Sequence, residues 1–117
     1  MTGRAAPARD ARHNLRGSPW ARVHCGDDAA VLAMTGLPAP GLAVLDPPRA
    51  GAARVVIDRL LGWGSLRRIA YVSCDPATLA RDIAVFARAG WRLAGLRAFD
   101  TFPMTHHVEC VAALAPG

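Results

Sequence analysis

The sequence predicts an α/β fold whose sheet is mostly parallel and ends in an antiparallel strand. A continuous apolar run at residues 42–45 is typical of a strand buried on both faces, as in parallel sheets, and residues 68–74 are predicted to form a second buried strand. Each predicted strand is followed by a segment with helical spacing, and such alternation forms α/β sheets with right-handed crossovers. Too few residues separate the last two predicted strands for a parallel crossover, so we expect that pair to be antiparallel.

The elements before this sheet are predicted to be short. Residues 1–9 are rich in Ala, Arg, Gly and Pro, and we expect a disordered start. A short helix is predicted at residues 10–16, because Gly17, Ser18 and Pro19 stop it. A short strand at residues 22–26 and a helical turn at residues 29–34 complete this part.

The remaining elements have clearer boundaries. A helix is predicted at residues 55–61, before Gly62. Asp75 is a good N-cap and Pro76 a good first helical residue, so a second helix should run to about residue 89 and stop at Gly90. Strands are then predicted at residues 91–99 and 108–114.

This topology brings three reactive side chains to one edge of the sheet. Asp46 and Cys74 close two parallel strands, and Glu109 opens the final antiparallel strand. Ligands of open α/β sheets bind at the carboxyl ends of the parallel strands. We therefore expect a functional site at this edge.

The composition is that of a small, basic, folded chain. The 117 residues carry 14 cationic side chains, all arginine, against nine acidic ones, for a formal net charge of +5. Apolar residues make up 52%, enough to bury a core in one small domain at most. The basic balance favours a polyanionic partner, nucleic acid first.

Several classes of protein are excluded. No run of about 18 consecutive apolar residues occurs, so no membrane-spanning helix is expected. The first residues lack the apolar run of a secretory signal. Cys25, Cys74 and Cys110 show no paired spacing, so we expect neither a disulfide framework nor a metal site, and a reduced, cytoplasmic chain is the natural interpretation.

Three ordered motifs occupy the segments that form the predicted edge. They are Asp-Pro-Pro-Arg-Ala-Gly at residues 46–51, Tyr-Val-Ser-Cys-Asp-Pro-Ala-Thr-Leu-Ala-Arg-Asp at 71–82 and Phe-Asp-Thr-Phe-Pro-Met-Thr-His-His-Val-Glu at 99–109. They resemble the C-terminal half of the RNA (uracil-5-)-methyltransferases, which use S-adenosyl-L-methionine to make 5-methyluridine in transfer or ribosomal RNA. Asp75, where the family commonly has Asn, and Met104, where Gln or His is usual, depart from its pattern. The resemblance implies a partial Rossmann-like class I methyltransferase domain, with S-adenosyl-L-methionine as cofactor and RNA as partner.

The resemblance implies that Cys74 is the nucleophile and Glu109 the proton acceptor. C5 of uracil cannot attack a methyl sulfonium unaided, but a thiolate that adds to C6 turns the ring into an enolate whose C5 can. A carboxylate must then remove the C5 proton so that the thiolate can leave. The predicted helix N-terminus after Cys74 favours a thiolate. Without the motifs, a buried Cys and a solvated Glu would be the ordinary interpretations.

Two aspartates are expected to contact the cofactor. By resemblance, Asp46 lies beside the methyl donor and the target base. The two prolines after it restrict the backbone where the chain leaves the strand, which keeps the carboxylate fixed. Asp27 matches the residue that hydrogen-bonds the adenine of the cofactor, although helix capping is the commoner role of Asp and Asp28 could compete. Three further side chains could contact RNA phosphate or sugar: Arg49, Arg81 and His106.

The family's glycine-rich turn after its first strand, and the acidic residue that ends its second strand, are not found. We therefore expect residues 10–117 to be the C-terminal portion of a methyltransferase catalytic domain, a truncated fragment without the first two strands. The missing N-terminal portion would be a further partner. The strand that ends at Asp46 would then expose an apolar edge. Whether this chain is active by itself stays open.

Two alternatives also stay open. A catalytically silent module derived from such an enzyme would bind RNA or a partner chain through the open edge. An adenine or cytosine methyltransferase would keep the fold and change the base. Adenine methylation would not need Cys74, whereas cytosine methylation would need a cysteine and would differ in its product.

Overall fold

The structure, a computed structural model, describes residues 5–34, 36–100 and 108–117. The chain divides into two compact units, Met1–Leu37 and Pro38–Gly117, and each is described by itself. None of the helices in the described parts of the chain has the length and apolar character needed to cross a bilayer.

The first unit contains helices α1 (Ala5–Asn14) and α2 (Asp28–Leu32). Helix α1 begins five residues before the predicted start, so residues 5–9 are helical rather than disordered. Alanine has the highest helix propensity, and Pro7 lies in the first turn, where its missing N–H would have no intrahelical partner. The helix ends at Asn14, with Arg12 and His13 in its last turn, where the helix dipole favours positive charge.

The strand predicted at residues 22–26 is wrong, because the structure gives these residues no strand conformation. A strand persists where its backbone groups join a ladder of hydrogen bonds with a neighbour. Here the carbonyl oxygen of Val23 instead accepts a hydrogen bond from the Arg12 guanidinium at 3.3 Å.

The described residues of the second unit form a mixed sheet of four strands. In chain order its elements are β1 (Leu42–Leu45), α3 (Arg54–Leu61), β2 (Arg68–Ser73), α4 (Pro76–Arg88), β3 (Trp91–Phe99) and β4 (Glu109–Pro116). The strands lie in the order β1-β2-β4-β3. Strand β1 is parallel to β2, and β4 is antiparallel to both β2 and β3. The predicted α/β fold and the antiparallel final strand are confirmed, and the sheet of the described residues is mixed, with one parallel pair and two antiparallel pairs.

Local chemistry sets the boundaries of α4. Asp75 caps the helix and Pro76 is its first residue, as predicted, and Gly90 follows the last turn with a φ of +89°. A positive φ is a conformation that glycine adopts at low cost, so the chain can turn sharply into β3. Strand β2 ends at Ser73, which leaves Cys74 just beyond the ladder.

The core lies on one face of the sheet, where α4 packs against β2 and β3. Its largest buried apolar side chains come from both helices and from β2 and β4: Val56, Ile57, Leu60, Leu79, Phe86, Ile69, Tyr71 and Leu114. At the edge strand β1, Leu42 and Val44 are 59% and 65% exposed. The apolar edge predicted for the strand that ends at Asp46 is therefore present.

Candidate active site

One end of the sheet brings together three of the four predicted site residues. Asp46 follows the last residue of β1, Cys74 follows the last residue of β2, and Glu109 is the first residue of β4. Because β1 and β2 are parallel and β4 opposes β2, all three positions lie at the same end. The convergence expected from the topology is thus present.

Cys74 and Glu109 are neighbours across the β2–β4 ladder. Ser73 pairs with Cys110 at the end of that ladder, and Cys74 and Glu109 each lie one residue beyond this pair. Opposite residues of antiparallel strands have Cβ atoms roughly 5 Å apart. Cys74 and Glu109 are half-buried, whereas Ser73 and Cys110 are buried. A residue with a thiol and a residue with a carboxylate therefore lie at matching positions at this end of the sheet.

A tight turn carries the chain from Cys74 into α4. The Ser73 hydroxyl donates to the carbonyl oxygen of Asp75 at 2.9 Å, and the N–H of Asp75 donates back to Ser73 Oγ at 3.1 Å. Asp75 Oδ1 accepts hydrogen bonds from the N–H groups of Ala77 at 3.0 Å and Thr78 at 3.3 Å. These bonds fix the backbone of Cys74 between a buried strand and a capped helix.

The carboxylate of Asp75, the residue after Cys74, carries a negative charge at the start of α4. The N–H of Thr78 contributes most to holding the pKa of Asp75 below its usual value, with smaller contributions from Ala77 and the positive charge of Arg49. Asp75 is therefore ionised at neutral pH. It accepts hydrogen bonds from two of the first free N–H groups of α4 and sets a negative charge one residue after Cys74.

The segment that follows Asp46 lies against α4. Thr78 Oγ1 donates to the carbonyl oxygen of Arg49 at 2.9 Å, and Arg81 Nη2 donates to the carbonyl oxygen of Ala50 at 2.7 Å. Arg81, a candidate for RNA contact, thus has a role inside the chain. The rim around Asp46 is connected to the helix that begins just after Cys74.

A buried pair of polar side chains completes this connection. Tyr71 is fully buried and Asp82 is 2% exposed. The Tyr71 hydroxyl donates to Asp82 Oδ2 at 2.5 Å, and the N–H of Ala52 donates to the same oxygen at 2.9 Å. Burial, followed by the hydrogen bond to Asp82, raises the pKa of Tyr71 well above its usual value. Asp82 Oδ1 accepts hydrogen bonds from the Arg81 guanidinium, so both oxygens of the buried carboxylate are satisfied.

Sequence reasoning assigned no role to Tyr71 or Asp82, although a signal was present for Asp82. On α4 it shares the buried stripe with Leu79 and Phe86, at spacings of three and four residues. A carboxylate on an apolar stripe needs hydrogen-bond partners, since burying it without them is costly.

Asp27, the fourth predicted site residue, lies in the first unit. Its Oδ2 accepts a hydrogen bond from the N–H of Ala30 at 3.4 Å, so the capping role weighed against cofactor binding is present. Asp27 also lines an open cleft of about 490 Å³ whose apolar wall includes Ala8, Ala11 and Val23. An apolar wall beside a carboxylate has the chemistry to hold an adenosine group, because the rings need apolar contact and the amino group a hydrogen-bond acceptor.

Met104 and His106 lie outside the described residues. The contact of His106 with RNA therefore stays a prediction. Within the described ranges, no group of three His, Cys, Asp or Glu side chains is arranged to hold a metal ion.

The chain is similar to known proteins over most of its length. Residues 41–116 match the tRNA (Uracil-5-)-methyltransferase family. A protein of Streptomyces avermitilis described as an uncharacterized RNA methyltransferase is 54% identical over 107 residues, which are 92% of this chain and 24% of that protein. A protein of Bifidobacterium longum with the same description is 40% identical over 116 residues, which are 96% of this chain and 26% of that protein.

A solved structure is similar over nearly the whole chain. It is the tRNA (uracil-54, C5)-methyltransferase of Pyrococcus abyssi in complex with S-adenosyl-L-homocysteine. The TM-score is 0.72 at 30% sequence identity, and the match covers 95% of this chain and 26% of that one. The chain thus spans about a quarter of the length of the proteins it matches.

Proposed function

The chain belongs to the tRNA (uracil-5-)-methyltransferase family, and we propose that it supplies the nucleophile and the base that form 5-methyluridine in transfer or ribosomal RNA. One observation supports this proposal: Cys74 and Glu109 each lie one residue beyond the Ser73–Cys110 pair, at the same end of the β2–β4 ladder. Methylation at C5 needs this pair, one group to activate the ring and one to remove its proton.

Cys74 opens the reaction. Its thiolate adds to C6 of the uracil ring, an S–C6 bond forms, and the electron pair of the C5–C6 double bond moves into the enolate, which makes C5 nucleophilic. S-adenosyl-L-methionine, when bound, supplies the methyl group that C5 accepts. The turn between Ser73 and Asp75 holds the Cys74 backbone in place during this addition.

Glu109 closes the reaction. Once C5 carries both the methyl group and its original proton, the carboxylate of Glu109 takes that proton, and the C5–C6 double bond forms again. The S–C6 bond breaks, and Cys74 leaves as a thiolate. The half-buried position of Glu109 keeps a carboxylate within reach of a base that is bonded to Cys74.

Two aspartates are proposed to serve the cofactor. Asp46, at the carboxyl end of β1, would lie beside the methyl donor and the target base. Asp27 would accept a hydrogen bond from the adenine amino group, and the apolar cleft that it lines supports this role. The cap on Ala30 involves one carboxylate oxygen, so capping and adenine binding are compatible.

The proposed domain is the C-terminal portion of a Rossmann-like class I methyltransferase, formed by residues 10–117. Its partner is RNA, which the net charge of +5 favours, and the cytoplasm is the proposed compartment. The segments that precede the matched region in longer relatives would be a second partner.

Product analysis tests the proposal. A chimera would carry this chain in place of the matching C-terminal segment of the Streptomyces avermitilis relative. It would be incubated with S-adenosyl-L-methionine and unmodified RNA. The RNA would then be digested, and its nucleosides separated and identified by mass spectrometry. We expect 5-methyluridine, its loss in Cys74→Ala, and its retention in the matched control Cys110→Ala.

Each other product identifies a different function. A methylated adenosine that persists in Cys74→Ala would show an adenine methyltransferase, and 5-methylcytidine would show a cytosine enzyme. RNA binding with no methylated product would show a catalytically silent module. Any of these results would overturn the proposed function.

A further inference from the structure

We propose that Tyr71 and Asp82 are positioning residues. They hold the backbone of residues 49–52 against α4 and so keep Asp46, which follows the last residue of β1, aligned with Cys74. This inference rests on the proposed function, because it names the groups that align its two halves. Neither residue touches substrate in this role. Both act through the loop.

The contacts from α4 form one row. Arg81 and Asp82 follow Thr78 by three and four residues, and residues at these spacings are neighbours on the surface of a helix. Each bonds a different backbone group of the loop: the carbonyl oxygens of Arg49 and Ala50, and the N–H of Ala52, in that order. The helix therefore holds the loop at three successive points rather than at one.

Tyr71 ties the same loop to the sheet. It lies on β2 opposite Leu45, the residue just before Asp46. Its hydroxyl donates to Asp82 Oδ2, and the N–H of Ala52 also lies 3.2 Å from the hydroxyl oxygen. The loop after β1, the middle of β2 and α4 are thus joined through one carboxylate oxygen.

Gly51 makes this close approach possible. Its φ is +90°, and a Cβ at this position would lie 2.5 Å from Arg81 Nη2, 2.8 Å from Asp82 Oδ2 and 2.8 Å from Thr78 Cγ2. Any side chain here would push the loop away from α4. The backbone conformation and the three contacts therefore specify the same position for the loop.

Helix α4 positions both the loop of residues 49–52 and the proposed nucleophile, Cys74. Helix α4 begins two residues after Cys74, and the capped turn from Ser73 to Asp75 fixes that junction. Because the loop bearing Asp46 and the Cys74 turn are both bonded to α4, their separation is set by one rigid element. A displacement of about 1 Å in such a site can slow a reaction about a hundredfold.

Two measurements test the inference, with the variants Tyr71→Phe and Asp82→Asn. The first is amide hydrogen exchange at Ala52 of the chain, followed alongside amides of the β2–β4 ladder. We expect exchange at Ala52 about tenfold faster in each variant, because Tyr71→Phe removes the hydroxyl that bonds both Ala52 and Asp82, and Asp82→Asn replaces a charged acceptor by a weaker neutral one. Exchange in the ladder should not change. Asp58→Asn, an exposed aspartate paired with Arg54 on α3, is the matched control and should change neither.

The second measurement is the rate at which the chimera that carries this chain forms a covalent adduct with RNA containing 5-fluorouridine, in the presence of S-adenosyl-L-methionine. Fluorine at C5 cannot leave as a proton does, so Cys74 stays bonded to C6. We expect this rate at saturating RNA to fall about tenfold or more in Tyr71→Phe, with the dissociation constant for RNA unchanged within about twofold. A purely structural role would lower the fraction of folded protein and leave the rate per folded molecule unchanged.

The outcomes separate this inference from the proposed function. Unchanged exchange at Ala52, equally faster exchange throughout the chain, or adduct formation at the original rate despite a loosened Ala52 would each overturn the inference. If the chimera with the unsubstituted chain forms no adduct, the proposed function fails instead. Exchange at Ala52 then decides by itself whether Tyr71 and Asp82 hold the loop.

Discussion

Cys74 and Glu109 occupy matching positions on neighbouring antiparallel strands, one residue beyond the Ser73–Cys110 pair. Glu109 also pairs with Phe99 of β3, so its backbone is held in the sheet on the β3 side. The carboxylate therefore stands on a central strand rather than on a loose terminus. This placement suits a group that must reach one proton on a base bonded to its neighbour.

Glu109→Gln should stop the reaction after methyl transfer. The amide cannot take the C5 proton, so Cys74 cannot be released, and a protein–RNA adduct should accumulate on ordinary uridine. Formation of the free product should fall about a hundredfold or more, measured by single-turnover assays of the chimera. Asp58→Asn is the matched control. Normal turnover in Glu109→Gln would exclude Glu109 as the base.

Asp75→Asn should make Cys74 react faster with alkylating agents at neutral pH. Asn is as good an N-cap as Asp, so the bonds to Ala77 and Thr78 should persist while the negative charge beside the thiol is lost. The rate would be followed by mass spectrometry of the peptide that contains Cys74, with the peptide of Cys110 as internal control. A slower or equal rate would show that the charge of Asp75 does not act on the thiol.

Tyr71 should make the fold sensitive to alkaline pH. Its pKa is raised in the folded chain by burial and by Asp82, so its contribution to stability is complete below about pH 10, the ordinary pKa of Tyr, and is lost as pH rises further. Tyr71→Phe should therefore lose less free energy of unfolding above that pH than the unsubstituted chain does. Tyr71 is the only tyrosine, so tyrosinate absorbance reports it directly. Its ionisation near pH 10 in the folded state would contradict the buried hydrogen bond.

Gly51→Ala should destabilise the chain by about 2 kcal/mol or more, because alanine at a φ of +90° is strained and its Cβ would meet the side chains of α4. Gly64→Ala is the matched control, since a Cβ there meets nothing within 4 Å and its φ lies outside the strained range. Urea unfolding of both variants measures the difference. Equal stabilities would show that the loop does not lie against α4 as described.

The sheet was predictable because local sequence features mark its elements. These features are the apolar run at residues 42–45, the buried strand predicted at residues 68–74, the cap at Asp75 and the short connection before the last strand, and the structure agrees with each of them. The convergence of Cys74, Glu109 and Asp46 then follows from strand direction alone.

Other features depend on contacts that a single sequence does not display. Residues 22–26 have the composition of a strand, yet a strand needs a neighbour, and here Val23 bonds to Arg12 instead. The pairing of Tyr71 with Asp82 joins residues 11 positions apart on different elements. Only the fold brings them to Ala52, 30 positions before Asp82.

The most direct test of the central claim is the mass of the peptide that carries Cys74 after the chimera has been incubated with S-adenosyl-L-methionine and structured RNA containing 5-fluorouridine. We predict that this peptide gains the mass of a methylated fluorinated nucleotide, and that Cys74→Ala abolishes the gain while Cys110→Ala keeps it. A nucleotide attached to another residue, or an adduct that survives in Cys74→Ala, would contradict the assignment of Cys74 as the nucleophile.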